Sequence, residues 1–244
     1  MKIQTVIFTL AVALSTAPVT ADHNRTDEAG RKQGHWTEFP EQDDLLAMEG
    51  HYVDGKALGK WVWRWANGTV GEGPMVDGKR HGKWVERFVS GYVQEGPYVG
   101  GKKHGDWVLR GADGGVQEGP YVGGKKHGRW VLRFADGTVQ QGPFVDGKVH
   151  GHWVLRGTDG SVQEGPYVGG KKHGRWVLHS ADGDVEEGPF VDGERHGRWV
   201  GRDANGDVEE GTFVNGEKHG LWVYREANGD VVETCWENGN KVDC

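Results

Sequence analysis

The chain is built from one short unit repeated along its length. A tryptophan recurs every 23 residues, at Trp61, Trp84, Trp107, Trp130, Trp153, Trp176, Trp199 and Trp222. A second, mostly aromatic series has the same period, at Tyr52, Met75, Tyr98, Tyr121, Phe144, Tyr167, Phe190, Phe213 and Trp236. Such a fixed period is the signature of a repeat architecture. Because identical units spread the same side chains along a line, the pattern favours binding or scaffolding over catalysis.

Each unit has the pattern of a β-hairpin. Around Trp130, two runs rich in valine and aromatic residues flank the turn residues 135–137, which end in a glycine. A three-residue loop of this kind is typical of a type I turn with a bulge. Its register places Trp130 opposite Gly142 and on the same face as Phe144, with room for the indole over the glycine. We therefore predict an all-β fold, an elongated single-layer antiparallel sheet of consecutive 23-residue hairpins.

The opposite face of this sheet is expected to carry pairs of opposite charge. The predicted pairs are Arg110 with Glu118, Arg156 with Glu164, and Arg202 with Glu210. Exposed pairs contribute only about 0.2–1 kcal/mol each. This face is therefore interpreted as a solvated surface.

The first 21 residues have the features of a secretory signal peptide. A positive start at Lys2 precedes a mostly apolar run over 3–14, and small residues lead up to Ala21. The apolar run is too short to span a bilayer. We predict cleavage after Ala21, an exported mature chain that is periplasmic or extracellular, and no transmembrane segment in that mature chain.

The remaining chain divides by pattern. Residues 22–33 are charged and are expected to form a flexible lead-in. The repeat array covers 34–244, with an irregular N-terminal unit at 34–51, regular repeats from 52 and a C-terminal cap at 234–244. Cys235 and Cys244 are the only cysteines, and in an oxidising compartment they are expected to form a disulfide, two free thiols being the alternative.

Composition argues against several function classes. Removing Lys2 with the signal peptide changes the formal net charge from −7 to −8, which disfavours binding to nucleic acid. The repeated histidines are His81, His104, His127, His150, His173, His196 and His219. Successive hairpins lie roughly 10 Å apart, too far for these histidines to share an ion with bonds of about 2.0–2.1 Å. We predict no catalytic, cofactor or metal site.

The two long edges of the sheet differ in charge. Aspartates mark the hairpin turns, whereas the glycine-rich bends carry a basic edge made of Lys79, Arg80, Lys83, Lys102, Lys103, Lys125, Lys126, Arg129, Lys171, Lys172 and Arg175. This basic edge is either ordinary solubilising charge or a surface for acidic partners.

The run Gly-Pro-Tyr-Val-Gly-Gly-Lys-Lys-His-Gly-Arg-Trp at 119–130 resembles the MORN (membrane occupation and recognition nexus) repeat, in its bacterial variant with tryptophan after His-Gly-x. The resemblance covers residues 34 to 242. It implies an elongated sheet of hairpins with roles in protein scaffolding and membrane-lipid association. The resulting hypothesis is an exported, non-catalytic scaffold that binds an unidentified envelope protein. The alternatives are a peripheral binder of anionic lipid or envelope polymer through the basic edge, and a cryptic enzyme.

Overall fold

The structure, a computed structural model, describes residues 23–40 and 44–244, so the predicted signal peptide lies outside the described residues. The described residues form 26 strands and no helix, and none of them therefore belongs to a helix that could cross a membrane. The strands are β1 (Arg25–Thr26), β2 (Lys32–Glu38), β3 (Leu45–Val53), β4 (Lys56–Trp65), β5 (Val70–Val76), β6 (Lys79–Arg80), β7 (Gly82–Arg87), β8 (Val93–Val99), β9 (Lys102–Lys103), β10 (Gly105–Arg110), β11 (Val116–Val122), β12 (Lys125–Lys126), β13 (Gly128–Arg133), β14 (Val139–Val145), β15 (Lys148–Val149), β16 (Gly151–Arg156), β17 (Val162–Val168), β18 (Lys171–Lys172), β19 (Gly174–His179), β20 (Val185–Val191), β21 (Glu194–Arg195), β22 (Gly197–Arg202), β23 (Val208–Val214), β24 (Glu217–Arg225), β25 (Val231–Glu237) and β26 (Asn240–Val242).

The strands follow chain order in one open antiparallel sheet. Within a unit β13 pairs with β14, and the same β13 pairs with β11 of the preceding unit. Two-residue strands such as β12 pair only at the bend, with the strand before them. The predicted all-β, single-layer sheet of 23-residue hairpins is confirmed.

The hairpin loop has the predicted length. Trp130 pairs with Gly142, and the N–H of Phe134 donates to the carbonyl of Thr138 at 2.9 Å. Gly137, at the end of the three-residue loop, has φ of 91°, a left-handed conformation that glycine adopts without a steric penalty. Turn chemistry within the unit therefore sets the register.

The bend between units is a second, tighter turn. Val145 pairs with Lys148, and the two residues between them, Asp146 and Gly147, have φ of 50° and 84°. Two left-handed residues in succession are characteristic of a type I′ turn. The N–H of Gly147 donates to the carbonyl of Lys126 at 2.9 Å, which ties this bend to the preceding one.

The core is a single ladder of aromatic rings on one side of the sheet, called here the aromatic face. Trp130 is fully buried, and Phe144 lies edge-on between Trp130 and Trp153, with ring centroids 6.0 and 5.3 Å away. The same alternation runs without a break from Trp84 to Trp222. The predicted sharing of one face by the two aromatic series is therefore correct.

The position of each indole differs from expectation. Trp130 pairs with Gly142 in its own hairpin, yet its ring lies against Gly119 of the preceding one. Its Nε1 donates to the carbonyl of Pro120 at 2.9 Å. The same carbonyl accepts the N–H of His127 at the bend, and Trp222 bonds to Thr212 in the same way, so the arrangement does not depend on proline. The tryptophan side chain therefore packs between two hairpins, and does not pack within its own hairpin.

The two ends of the described chain are also ordered by specific contacts. The segment expected to be a flexible lead-in contains β1, which pairs with β2. Asp27 organises the turn between them by accepting the backbone N–H of Arg31 at 2.9 Å. At the other end Cys235 and Cys244 form the predicted disulfide, with Cα atoms 5.1 Å apart.

Candidate functional site

The side of the sheet opposite the aromatic face carries most of the exposed charge and is called here the charged face. Strand alternation and cross-strand pairing assign Lys125, Arg129, Val131, Arg133 and Gln141, with their equivalents every 23 residues, to this side. Both faces of a single-layer sheet lie open to a partner. The charged face is the candidate binding surface.

The predicted basic edge divides between the two faces. Where the second residue of a bend is also basic, it lies over the aromatic face. The Nζ atoms of Lys103, Lys126 and Lys172 are each 4.1 Å from the centroid of the following tryptophan ring. Arg80 lies 4.2 Å from the ring of Tyr98 in the same way. Such cation–π contacts are worth about 0.5–2 kcal/mol. Lys103 and Lys126, which the sequence placed on the basic edge, are therefore partly buried over the rings instead of being exposed at the edge.

The environment of these lysines changes their acidity. Burial lowers the pKa of Lys103, Lys126 and Lys172, since the charged form loses hydration against the rings. These three side chains are half-buried structural groups, and they offer little charge to a partner.

The first basic residue of each bend remains exposed on the charged face. These residues form a lysine row, made of Lys79, Lys102, Lys125, Lys148 and Lys171. None of the five makes an ion pair within residues 23–40 and 44–244. Lys148 was missing from the predicted basic edge, although its position in the 23-residue register identifies it.

The remaining members of the basic edge take part in a network on the charged face. Arg175 donates to Glu187 at 2.5 Å, and Arg202 of the next unit lies 3.4 Å from the same carboxylate. Three other glutamates each lie between two cations in this way: Glu72 between Lys60 and Arg87, Glu95 between Lys83 and Arg110, and Glu210 between Arg198 and Arg225. The repeat thus builds cation–carboxylate–cation triads along the sheet.

The triads correct the predicted charge pairs. Arg110 contacts Glu95 and Arg202 contacts Glu187, both in the preceding hairpin, instead of Glu118 and Glu210 of their own. Since strands twist with a fixed hand, the two diagonal neighbours of an arginine are not equivalent. Charge pairing, like indole packing, therefore joins consecutive units.

Hydrogen bonds from these cations perturb the carboxylates. The bond from Arg175 holds the pKa of Glu187 below its ordinary value, and the bond from Arg198 does the same for Glu210. Lysine donors have this effect on the pKa of Glu72 and Glu95, from Lys60 and Lys83 respectively. The triads are consequently charged at neutral pH.

A row of exposed valines accompanies the lysine row. Val76, Val99, Val122, Val145 and Val168 occupy the strand position before each bend and are 41–51% exposed. Val122 pairs directly with Lys125, so each bend presents an apolar and a basic side chain together. This row was missed in the sequence, although its 23-residue period is visible there.

The aromatic face is interrupted once near its N-terminal end. Ala57 replaces the basic residue and Met75 replaces the ring, which leaves an open groove of about 500 Å³ beside Trp61 and Trp63. The Nε1 atoms of these two indoles are buried and bond to none of the described residues. The regular ladder resumes where Trp63 meets Trp84, with ring centroids 5.1 Å apart.

The repeated histidines mark the bends. The N–H of His127 donates to the carbonyl of Pro120 at 2.9 Å, and His104 contacts Pro97 in the same way. Among the residues that the structure describes, no three His, Cys, Asp or Glu side chains are grouped so as to hold a metal ion. The backbone at these histidines therefore serves the bend.

Comparisons with known proteins concern the fold alone. No protein-family model and no curated protein matches the chain. The TCP10 domain of Danio rerio CPAP, in complex with a peptide of Danio rerio STIL, is similar with a TM-score of 0.42 and 14% identity, over 83% of this chain and 100% of that one.

Two further solved structures are similar to the same degree. The G-box domain of the microcephaly protein CPAP gives a TM-score of 0.39 at 14% identity, over 84% of this chain and 100% of that one. The TCP domain of SAS-4 from Drosophila melanogaster, in complex with a proline-rich motif of Ana2, gives 0.38 at 12%, over 62% and 83%. Likenesses this distant carry no argument about partners.

Proposed function

We propose that the chain is an exported, non-catalytic MORN-like repeat scaffold that binds an acidic partner protein in the cell envelope, either in the periplasm or outside the cell. The lysine row carries this proposal. Its five exposed lysines, from Lys79 to Lys171, lie in five consecutive units without an ion-pair partner among the described residues. At two strand spacings per unit the row is roughly 40 Å long. A linear array of uncompensated charge attracts an extended surface of the opposite sign.

Several features support the individual parts of the proposal. The His-Gly-x-Trp motif and the confirmed sheet of 23-residue hairpins support the resemblance to MORN repeats. The signal-like residues 1–21 support export, as does the disulfide between Cys235 and Cys244, because disulfides persist in oxidising compartments. An open sheet with the same side chains in every unit suits a scaffold better than an enzyme.

The lysine row is tested by capture of partners from the native envelope fraction with the mature protein as bait. A variant with Lys102, Lys125, Lys148 and Lys171 changed to Gln should lose the captured protein, whereas the matched variant with Arg at these positions should keep it. Binding should also weaken as salt is raised, because exposed charges are screened. Equal capture by the Gln and Arg variants at low salt would refute the role of the row.

The half-buried lysines provide a second control. Lys103→Met and Lys126→Met remove two charges from the aromatic face and retain apolar cover over the rings. Capture by this double variant should match that of the unchanged protein. A loss equal to that of the Gln variant would move the binding surface to the aromatic face.

Association with anionic lipid is the second candidate, favoured by the pairing of exposed valine and lysine at each bend, as in Val122 and Lys125. Basic residues next to apolar ones suit an anionic membrane surface. Sedimentation with phosphatidylglycerol vesicles, compared with phosphatidylcholine vesicles, separates the two candidates. Specific sedimentation with the anionic vesicles, lost in the Gln variant, would favour lipid over a protein partner.

A further inference from the structure

The triad pattern of the charged face loses its central carboxylate at one position. The strand position of the central carboxylate is glutamate in eight units, at Glu49, Glu72, Glu95, Glu118, Glu164, Glu187, Glu210 and Glu233, and glutamine only at Gln141. The cations of a triad lie 12 residues before and 15 residues after the carboxylate, as Arg175 and Arg202 do for Glu187. At Gln141 these positions are Arg129 and Arg156. Two guanidinium groups therefore lack the carboxylate that the other units provide.

The contacts at this position agree with the pattern. Arg129 donates from Nη2 to Oε1 of Gln141 at 3.0 Å, which leaves its charge uncompensated. Arg156 is exposed, and its guanidinium group has no hydrogen bond or ion pair with any residue in 23–40 or 44–244. The amide NH₂ of Gln141 is a further donor with no acceptor in the same ranges. Three donor groups thus surround a place where neighbouring units hold an anion.

The flanking hairpins limit the kind of anion. On one side Asp106 takes the place of a triad's first cation, and Glu118 is paired with Arg133 at 2.5 Å. On the other side Glu164 occupies the triad position between His152 and His179, where the complete triads have arginine or lysine. A polyanion laid along the sheet would meet these carboxylates, since like charges repel. A single carboxylate meets only the cations.

The surroundings favour a peptide as the carrier of that carboxylate. Gln141 pairs with Val131 on one side and with Val154 on the other, so apolar side chains flank the position within the sheet. An extended peptide with one acidic residue among uncharged or basic neighbours matches both the charge and the apolar flanks.

We infer that Arg129, Gln141 and Arg156 form a binding site for one Asp or Glu side chain of a partner protein, inserted where the other repeats place their own glutamate. The inference rests on the proposed function, because it takes the partner to be a protein. It assigns recognition of one acidic side chain of that protein to residues outside the lysine row. At this site an external carboxylate would complete the repeat's own ion-pair pattern.

The test uses an acetylated and amidated peptide with a single glutamate between valines and lysines, and the same peptide with glutamine in its place. The glutamate peptide should shift the Nε–Hε resonances of Arg129 and Arg156 in ¹⁵N-labelled protein. Gln141→Glu supplies an internal carboxylate and should weaken the binding about 2- to 30-fold, the effect of losing two exposed ion pairs. Gln140→Glu is the matched control, because it adds the same charge to the aromatic face, opposite Leu132.

Equal affinity of the unchanged and Gln141→Glu proteins would overturn the inference, as would equal binding of the two peptides. A shift produced by inorganic phosphate or by phosphatidylglycerol vesicles, but not by the glutamate peptide, would also overturn it. Arg156→Gln is a second variant, which breaks no side-chain hydrogen bond or ion pair among the described residues, and it should weaken peptide binding without lowering stability. If these variants leave peptide binding unchanged while the lysine-row variant still loses the envelope partner, only this inference fails. If partner capture survives the lysine-row change, the proposed function fails separately.

Discussion

The indole of Trp130 lies against Gly119 of the preceding hairpin, where a Cβ atom would come within 2.5 Å of the ring. The same arrangement recurs along the sheet, so that Trp153 lies against Gly142 and Trp176 against Gly165. Each tryptophan is therefore a contact between units. Stability in such an array depends on these interfaces as well as on the hairpins themselves.

Gly142→Ala should destabilise the protein by about 1–3 kcal/mol, because the added methyl group would overlap the indole of Trp153 in a packed core. Gly201→Ala is the matched control, since the nearest atom to its Cβ position is 3.9 Å away in the same kind of strand. Urea unfolding of the two variants measures the difference. Similar free energies of unfolding would show that the indole moves aside without cost.

Trp130→Ala should cost about 3–5 kcal/mol of unfolding free energy, the usual range for truncating a buried aromatic side chain. The variant loses the ring contacts with Tyr121 and Phe144 and the hydrogen bond from the indole Nε1 to the carbonyl of Pro120. Phe134→Ala is the control, because Phe134 directly follows β13, is 41% exposed and should cost below about 1 kcal/mol. Chemical denaturation that gave Trp130→Ala a loss below about 1 kcal/mol would contradict the buried ladder.

Acid should weaken the charged face. The folded-state pKa of Glu187 is lowered by its hydrogen bond from Arg175, so its stabilising effect is present above the ordinary value of 4.5 and is lost as pH falls through the folded value. Glu187→Gln should therefore reduce the loss of stability between neutral pH and about pH 3. Glu194→Gln serves as control, because Glu194 is exposed and forms no ion pair with the described residues. An identical acid response in all three proteins would rule out a contribution from the triad.

The disulfide should protect the last hairpin against fraying. Closing the loop from Cys235 to Cys244 is expected to stabilise it by about 2–3 kcal/mol in the chain-entropy model. In the variant with both cysteines changed to Ser, amide exchange should accelerate in β25 and β26, and exchange at Trp130 should stay as it was. Intact-mass analysis after alkylation without reduction is the direct check. Two alkylated cysteines in protein from an oxidising compartment would contradict the pairing.

Much of one hairpin could be derived from the sequence because its determinants are local. The glycine of the Ala135-Asp136-Gly137 loop requires a particular turn, that turn places Trp130 opposite Gly142, and strand alternation then assigns the two faces. The 23-residue period extends this result to every unit. The disulfide could also be predicted, because the sequence has only two cysteines and both lie in the last unit. The signal peptide and the identity of the partner stay predictions.

Contacts between hairpins were decided only by the tertiary structure. The sequence does not show whether Trp130 packs on Gly142 or on Gly119, or whether Arg202 contacts Glu210 or Glu187, because both candidates lie at similar positions in adjacent units. Strand twist makes the two neighbouring hairpins inequivalent, and the preceding hairpin receives the contact in both cases. The same geometry turns Lys126 onto the ring of Trp130 while Lys125, one residue earlier, stays in solvent on the other face. Strand alternation places the two neighbouring lysines on opposite faces. Only the packing of the next hairpin shows that Lys126 is covered and that Lys125 remains accessible to a partner.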